Sequence, residues 1–298
     1  MIKKLLVQIW NRLRPGTITF HQLGNNGYGR LGNQLFQYAA LRSLACRTNR
    51  RLILPPAREH YLNAFRITAS YARVMGKPLM THTFREKQFH YDESFFCAPP
   101  NCDFSGYFQS ERYFVNIADR IRREFSLVDK AITQRAQRQV DAVRASYPGR
   151  PVVALHNRRG DNVPTTNVRF DCKVQGSFRP DKDRYHPLLT RDYIEAAIRH
   201  FDGCCFLVFS DTIEDRAWCR KHVRSKWLTI SEGNDDLTDF EMQRLCDHNI
   251  IANSSFSWWA AWLNSHAGRQ VIAPTHWFGE VFAHQILDDL IPKDWIRL

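Results

Sequence analysis

Two neighbouring arginines follow a short apolar run near the middle of the chain, and their spacing is suited to binding phosphate. The run Val152 to Leu155 leads into His156, Asn157, Arg158, Arg159, Gly160 and Asp161. Guanidinium groups bind phosphate oxygens bidentately, and a glycine lets the backbone approach a ligand closely. The pattern favours a site for a diphosphate leaving group, whose growing negative charge the arginines would neutralise. A surface arginine pair beside a structural aspartate is the alternative interpretation.

Two further polar clusters follow apolar runs in the second half of the chain. Asp211 comes after Cys204 to Phe209, and its carboxylate could accept hydrogen bonds from a ribose or a guanine edge. It could equally begin a turn or cap the next helix. The third cluster follows a run that ends at Ala252 and consists of Asn253, Ser254, Ser255, Phe256, Ser257, Trp258 and Trp259.

The third cluster enters a predicted helix, and the free N–H groups and hydroxyls at a helix start bind anions. Ser254 or Ser255 could also simply cap the helix, and capping does not exclude phosphate binding. The tryptophans of this segment, Trp258, Trp259 and Trp262, are interpreted as core residues rather than as a platform for a sugar.

A glycine-rich turn, Gly27 to Gln34, follows a predicted strand at Thr17 to Leu23. Its glycine spacing departs from the dinucleotide-binding fingerprint, so the turn alone is weak evidence for a site. A helix is predicted after it because Leu35, Phe36, Ala39, Ala40 and Leu44 fall on one helical face. In a first domain this turn would bring Asn33 to the reacting centre.

The elements that must position these residues alternate between strands and helices, which predicts an α/β fold with parallel sheets. Strands are predicted at Val152 to Leu155, Cys204 to Phe209, Trp227 to Ile230, Asn249 to Ala252 and Gln270 to Ala273. Helices between them are predicted to begin at Thr190 and at a capping box formed by Thr238 and Glu241. The polar clusters then lie at the carboxyl ends of strands, where open α/β sheets bind ligands.

Two domains are expected for 298 residues, with a boundary at the turn formed by Pro148, Gly149 and Pro151. The predicted domains are therefore residues 1–150 and 151–298. The helical segments Arg112 to Phe125 and Lys130 to Tyr147 are expected to close the first domain.

The 42 basic and 30 acidic residues give a net charge of +12, which favours anionic partners. A nucleic-acid-binding protein would require interleaved basic and aromatic residues or a known module, and the sequence has neither.

The eight cysteines lack metal-ligand spacing, so reduced thiols in a cytosolic protein are expected. The basic start, Met1 to Arg14, lacks a signal cleavage site and is compatible with peripheral contact at the inner face of a membrane. No apolar run reaches the roughly 18 residues of a membrane span.

Five ordered blocks resemble the inverting α-1,2-fucosyltransferases of bacteria and animals, which form glycosyltransferase family 11. They are GRLGNQLFQYA at Gly29 to Ala39, GYFQSERYF at Gly106 to Phe114, HNRRGD at His156 to Asp161, FSD at Phe209 to Asp211 and NSSFSWWAAWL at Asn253 to Leu263. Weaker likenesses extend through nearly the whole chain.

This resemblance implies a GT-B architecture, in which two Rossmann-like domains face each other across a cleft. The first domain would lie on the acceptor side and the second would bind GDP-fucose, with no metal or other cofactor. His156 and Asp211 would contact the guanosine, and Arg158 the β-phosphate. Arg159, Asn253, Ser254, Ser255 and Phe256 would complete the donor site, with the two serines holding phosphate oxygens. Asn33 would lie near the fucose and the acceptor.

The expected acceptor is the 2-hydroxyl of galactose in a glycan, which would attack the anomeric carbon of the fucose in one inverting displacement. Asp161 is a candidate for the general base, because it is the carboxylate nearest the arginine pair in sequence. It could instead form an ion pair that buttresses Arg158 or Arg159. Asn157, Asn162 and the polar loop Val163 to Tyr185 depart from the common pattern of the family, and these differences concern the acceptor. The sequence does not indicate an oligomeric state.

Two rival interpretations concern the same nucleotide chemistry. A metal-dependent glycosyltransferase could use Asp181, Lys182 and Asp183 as a D-x-D site, but this triplet has no apolar strand before it. A catalytically inactive module that only binds a GDP-sugar is the other rival. The joint presence of His156, Arg158, Arg159 and Asp161 argues against it.

Overall fold

A computed structural model describes residues 16–24, 29–56, 60–72, 80–159 and 185–298 of the chain. These residues form two compact units. Unit 1 covers the described residues within Met1–Val128 and Gln285–Pro292, and unit 2 covers those within Asp129–His284 and Lys293–Leu298. Each unit contains one parallel sheet with helices, which confirms the predicted α/β class with two Rossmann-like domains. The cleft between the domains stays a prediction.

Unit 1 is built on a five-stranded parallel sheet. Its strands are β1 (Thr17–Thr19), β2 (Arg51–Leu54), β3 (Ser70–Tyr71), β4 (His82–Arg85) and β5 (Cys102–Ser105), in the order β3-β2-β1-β5-β4. Its α-helices are α1 (Leu31–Thr48) and α2 (Ala118–Glu124), and 3-10 helices lie at Tyr61–Ala64, Glu93–Cys97, Glu111–Tyr113 and Val115–Ile117. Strand β1 therefore has β2 on one side and β5 on the other, which makes the β1/β5 junction the switch point of this sheet.

The first strand and the helix after it follow the prediction with one correction. The apolar face of α1 is buried as expected, with Leu35, Phe36 and Leu44 fully enclosed. Strand β1 ends at Thr19 rather than Leu23, because the chain turns there and the Leu23 N–H donates to the Phe20 carbonyl at 3.0 Å.

Unit 2 is built on a six-stranded parallel sheet. Its strands are β6 (Val152–His156), β7 (Cys205–Phe209), β8 (Leu228–Ile230), β9 (His248–Ile250), β10 (Val271–Ala273) and β11 (Ile296–Arg297), in the order β11-β10-β9-β6-β7-β8. Its helices are α3 (Lys130–Ser146), α4 (Arg191–His200), α5 (Ile213–His222), α6 (Asp236–Leu245) and α7 (Ser255–Leu263), with a 3-10 helix at Glu280–Phe282. The switch point of this sheet lies between β6 and β9.

The continuous apolar runs form strands because both faces of the unit 2 sheet are covered. Val153 and Leu155 of β6 pack in one core cluster, which includes Tyr193 and Ile194 of α4. The alternate residues of β6 pack in a second cluster on the other face, with Met242 of α6 and residues of α3. Burial on two faces is what a parallel sheet requires, and it explains why these strands show no polar alternation.

Helix α3 belongs to unit 2, so the boundary between the units lies at the junction of Val128 and Asp129 rather than at the predicted residue 150. Ala136, Val140 and Val143 of this helix are buried in the second core cluster of unit 2. The turn before β6 therefore lies inside unit 2. The preceding segment, predicted to be helical from Arg112 to Phe125, consists of two 3-10 helices and α2.

The helix starts in unit 2 follow the prediction in one case and differ in another. Thr190 caps α4, since its hydroxyl accepts from the Tyr193 N–H at 3.1 Å. Asp235 rather than Thr238 caps α6, because the Asp235 carboxylate accepts from the Thr238 N–H at 2.8 Å. The capping residue therefore lies three positions earlier than the S/T-x-x-E pattern indicated.

Candidate functional site

The predicted residues of unit 2 meet at the carboxyl edge of its sheet. Strand β6 ends at His156, and Asp211 follows the adjacent strand β7. The segment from Asn253 follows β9, which pairs with β6 on its other side. The structure thus brings the three clusters to one edge, with two of them flanking the switch point.

His156 is enclosed at this edge and packs against the start of α7. Its ring centre lies 5.7 Å from that of Phe256, and 5% of the residue is exposed. Burial lowers the pKa of His156 to about 3, and the charge of Arg158 contributes to the shift. The imidazole is therefore neutral near pH 7, and its Nδ1 has no hydrogen-bond partner among the described residues. A buried nitrogen of this kind is suited to a hydrogen bond with a ligand.

Asn157 joins the ends of β6 and β7 through hydrogen bonds, a role that sequence reasoning did not assign. Its N–H donates to the Phe209 carbonyl at 2.9 Å, and its own carbonyl accepts from the Ser210 hydroxyl at 2.6 Å. Its side-chain amide donates to the Cys219 sulfur at 3.3 Å. The sequence carried one signal, namely an asparagine where the resembling family often has valine. These hydrogen bonds hold the backbone just before the two arginines.

The two arginines have different surroundings. Arg159 has its Nε 3.5 Å from Asp215 Oδ1, and its guanidinium lies 4.0 Å from the centre of the Trp218 ring. Burial raises the pKa of Asp215, and the charge of Asp211 adds to the rise. Arg158 is half-buried and close enough to His156 to affect its pKa. The diphosphate contacts of both arginines stay predictions, but Arg159 has internal partners that the sequence did not reveal.

Asp211 is exposed beyond the end of β7. The cap of α5 is Thr212, whose hydroxyl accepts from the Asp215 N–H at 3.1 Å. The alternative in which Asp211 caps this helix is therefore not what the structure shows. Its contact with guanosine stays a prediction.

The segment that opens α7 contains one residue, Asn253, whose side chain is hydrogen-bonded, and an N-cap residue, Ser254, whose side chain makes no capping bond. The Asn253 amide group donates to the Pro187 carbonyl at 2.8 Å and to the Trp277 carbonyl at 3.1 Å, while its buried Oδ1 has no partner among the described residues. Ser254 is the N-cap residue of α7, yet its side chain makes no capping hydrogen bond. The capping interpretation thus does not account for the Ser254 hydroxyl, and its contact with a phosphate stays a prediction.

The tryptophans of α7 are core residues, as predicted. Trp258 and Trp259 are fully enclosed, and 3% of Trp262 is exposed. Trp258 also packs against Trp295 with ring centres 5.4 Å apart. These rings hold α7 in place and do not form a surface for a sugar.

In unit 1 the first and second sequence blocks meet at Asn33. The Gln109 side-chain amide donates to Asn33 Oδ1 at 2.8 Å, which joins the first turn of α1 to the segment after β5. Gly29 has a φ of 87°, and a Cβ at this position would lie 2.0 Å from the Asn33 amide nitrogen. Only glycine fits there, because a side chain would displace Asn33. The role of Asn33 near the acceptor stays a prediction.

Glu86, which follows β4, holds the backbone of the segment that carries Gln109. No sequence pattern indicated this role. Its carboxyl group accepts from the Tyr107 N–H at 2.6 Å and from the Phe108 N–H at 2.8 Å. Burial raises the pKa of Glu86 to about 7, although the two N–H donors oppose the rise. The residue fixes the backbone that leads to Gln109.

Several predicted features lie outside the described residues. They are the candidate base Asp161, the candidate metal triplet Asp181 to Asp183, the start of the glycine-rich turn at Gly27, residues Val163 to Arg184 of the polar loop and the basic segment Met1 to Arg14. Among the residues with described positions, no group of three or more His, Cys, Asp or Glu side chains could hold a metal ion.

The sequence blocks and the two-unit arrangement agree with a match to one protein family. The model of glycosyl transferase family 11 matches residues 14–298. The chain belongs to this family. Among its relatives, an alpha-1,2-colitosyltransferase from Escherichia coli is 32% identical over 205 residues, covering 66% of this chain and 62% of that protein. Galactoside alpha-(1,2)-fucosyltransferase 1 from Oryctolagus cuniculus is 30% identical over 250 residues, covering 79% of this chain and 62% of that protein.

The family 11 chain thus spans somewhat under two thirds of the length of these relatives. Among solved structures it is similar to POFUT1 in complex with GDP, at 15% identity and a TM-score of 0.47, covering 86% of this chain and 98% of that chain. A likeness at this level is too weak to say what the chain binds. Within the described ranges of this family 11 protein, no helix is both long and apolar enough to cross a membrane.

Proposed function

We propose that this chain transfers L-fucose from GDP-fucose to the 2-hydroxyl of a glycan acceptor that ends in β-galactose. Membership of a glycosyl transferase family supports sugar transfer, and the galactoside alpha-(1,2)-fucosyltransferases among its relatives support the donor, the acceptor and the linkage. The net charge of +12 suits a substrate that carries a diphosphate.

The observation that carries this proposal is the convergence of His156, Arg158 and the start of α7 at the switch point of the unit 2 sheet. His156 contacts Phe256 across the β6/β9 junction, and its neutral ring offers a hydrogen bond to a base or a ribose. The Ser254 hydroxyl and the first N–H groups of α7 form an anion-binding end. One edge of the sheet therefore supplies both halves of a nucleoside diphosphate site.

In the proposed reaction the acceptor hydroxyl attacks the anomeric carbon and GDP leaves from the opposite face. Arg158 and the start of α7 neutralise the charge that grows on the diphosphate, so no metal is required. Arg159 holds the strand end through Asp215 and Trp218, and thereby positions Arg158. Asp161 is a candidate either for the general base or for a carboxylate that supports Arg158.

The test is to incubate the purified chain with GDP-fucose and a panel of β-galactosides, and to determine the linkage of the product. We expect α-1,2-linked fucose, with the same rate in excess EDTA. No transfer to any galactoside, or transfer to a different hydroxyl, would contradict the proposal. Loss of activity in EDTA that Mg²⁺ or Mn²⁺ restores would favour the metal-dependent alternative.

A second candidate donor is favoured by the colitosyltransferase from Escherichia coli, which is at least as similar in sequence as the fucosyltransferases. The relevant comparison is kcat/KM for GDP-fucose and for an activated colitosyl donor with the same galactoside. A higher value for the colitosyl donor would change the proposed sugar while leaving the nucleotide site and the acceptor chemistry as stated.

A further inference from the structure

A histidine and an aspartate form a hydrogen-bonded pair in unit 1 that neither the family match nor the sequence blocks assign. His21 Nδ1 is bonded to Asp103 Oδ2, and the His21 backbone N–H donates to Asp103 Oδ1 at 3.1 Å. The Asp103 side chain is 2% exposed, whereas that of His21 is 31% exposed. A buried carboxylate thus holds an imidazole that remains open to solvent.

The pair has the chemistry of a general base. A carboxylate is an acceptor only, so the shared proton lies on Nδ1 and the lone pair of the neutral ring lies on Nε2. Nε2 makes no hydrogen bond with any of the described residues. Asp103 would also stabilise the imidazolium formed when Nε2 takes a proton, as the aspartate of a Ser-His-Asp triad does.

The pair lies where an open α/β sheet binds ligands. His21 follows the end of β1, and Asp103 lies on β5, which pairs with β1 in parallel so that Thr19 is opposite Asp103. The β1/β5 junction is the switch point of the unit 1 sheet, and its carboxyl edge is the expected ligand edge.

The linked residues Asn33 and Gln109 lie at the same edge. Asn33 is in the first turn of α1, which follows β1, and Gln109 follows β5. The histidine therefore lies in the domain that the family resemblance assigns to the acceptor side.

We propose that His21 is the general base that deprotonates the acceptor hydroxyl, with Asp103 as its positioning residue. This inference rests on the proposed function. The acceptor O–H proton moves to His21 Nε2, the oxygen forms a bond to the anomeric carbon, and the carbon–oxygen bond to the diphosphate breaks. The electron pair of that bond leaves with GDP, and the imidazolium later releases its proton to water.

A purely structural His21–Asp103 pair and a catalytic one would respond differently to the substitution Asp103→Asn. In Asp103→Asn the new amide keeps an oxygen that can accept the His21 backbone N–H, so the turn is retained. Its NH2 group, however, donates to Nδ1 and moves the ring proton to Nε2, which removes the base. A structural role predicts near-normal turnover for this variant, whereas a catalytic role predicts a large loss of kcat.

The experiment compares the wild type with His21→Gln, His21→Ala and Asp103→Asn in steady-state transfer from GDP-fucose to a β-galactoside. We expect kcat to fall by about 10²-fold or more in all three variants, the range of a general base. KM for the galactoside and the affinity for GDP should change by less than about threefold. Imidazole added to His21→Ala should restore part of the turnover. His82→Gln, an exposed histidine on β4 of the same sheet, is the matched control and should keep wild-type kcat.

The outcomes separate this inference from the proposed function. A wild type that turns over while His21→Gln or Asp103→Asn keeps more than about a third of its kcat overturns the assignment of His21. A parallel Asp161→Asn variant that alone loses kcat would return the base to Asp161. A wild type without transfer activity overturns the proposed function, and the assignment with it. Retained GDP binding and an unchanged unfolding midpoint show that a variant without turnover is folded.

Discussion

The guanidinium carbon of Arg159 lies 4.0 Å from the centre of the Trp218 ring. With Asp215 3.5 Å from its Nε, this arginine links the end of β6 to helix α5. Replacing Arg159 with alanine removes the stacked cation and leaves the Asp215 carboxylate enclosed without its partner. We expect the free energy of unfolding to fall by about 3 kcal/mol, measured by urea denaturation near pH 7.

Arg158→Ala is the comparison for that variant, because the two arginines are adjacent but have different surroundings. We expect it to lose less stability than Arg159→Ala and to weaken GDP binding by about tenfold or more, as measured by calorimetry. The reverse pattern, with GDP affinity lost only in Arg159→Ala, would mean that Arg159 binds the diphosphate directly.

Ser254 and Thr190 occupy the same position at the starts of two helices but use their hydroxyls differently. Thr190 caps α4, whereas the Ser254 side chain makes no capping bond to α7. We expect Thr190→Ala to lower the free energy of unfolding by about 1 kcal/mol. Ser254→Ala should cost less than about 0.5 kcal/mol and should weaken GDP binding. Equal stability losses with unchanged GDP affinity would assign Ser254 a structural role only.

Much of unit 2 could be predicted because its strands are buried on both faces and its polar clusters come directly after them. A fully buried strand such as β7 leaves an unbroken apolar run in the sequence, and a parallel sheet then fixes where the next residues lie. The convergence of His156, Asp211 and Asn253 at one edge follows from these two facts alone. Their distances do not, because side-chain packing such as that of His156 on Phe256 has no sequence pattern.

The features that escaped prediction depend on contacts between distant parts of the chain. The apolar face of α3 indicates that it packs on a sheet, but it does not indicate which sheet, so the sequence predicts a boundary after this helix whereas the structure has it before. His21 and Asp103 are 82 residues apart, and only the pairing of β1 with β5 brings them together. Glu86 is half-buried and follows a short strand whose side chains are mostly exposed, so nothing in its neighbourhood indicates that its carboxyl group is enclosed.

Glu86 makes the stability of the protein depend on pH in the direction opposite to most carboxylates. Its pKa is raised to about 7 from an ordinary value of 4.5, so the folded state keeps a proton that the unfolded state loses. The free energy of unfolding therefore falls as the pH rises from about 4.5 to about 7. The shift corresponds to at most about 3 kcal/mol, less to the extent that water reaches the carboxyl group.

The side chain of Glu86→Gln cannot ionise, so we expect its free energy of unfolding not to show this fall with rising pH. The variant loses one accepted N–H bond at every pH, so its deficit relative to the wild type should be largest near pH 4.5 and smallest above pH 7. Urea denaturation at several pH values measures the difference between the two proteins. A difference that does not vary with pH would show that Glu86 ionises normally in the folded state.

His156 produces the opposite pH dependence on the acidic side. Its pKa is lowered to about 3, so below its ordinary value of 6.5 the unfolded state takes up a proton that the buried ring does not. Stability from this group is fully present above about pH 6.5 and is lost as the pH falls, by about 2 kcal/mol at pH 5. His156→Gln should therefore lose less stability than the wild type between pH 7 and pH 5. If the imidazole instead charged readily within the fold, the two proteins would lose stability in parallel, and NMR titration of the ring would show a midpoint near its ordinary value.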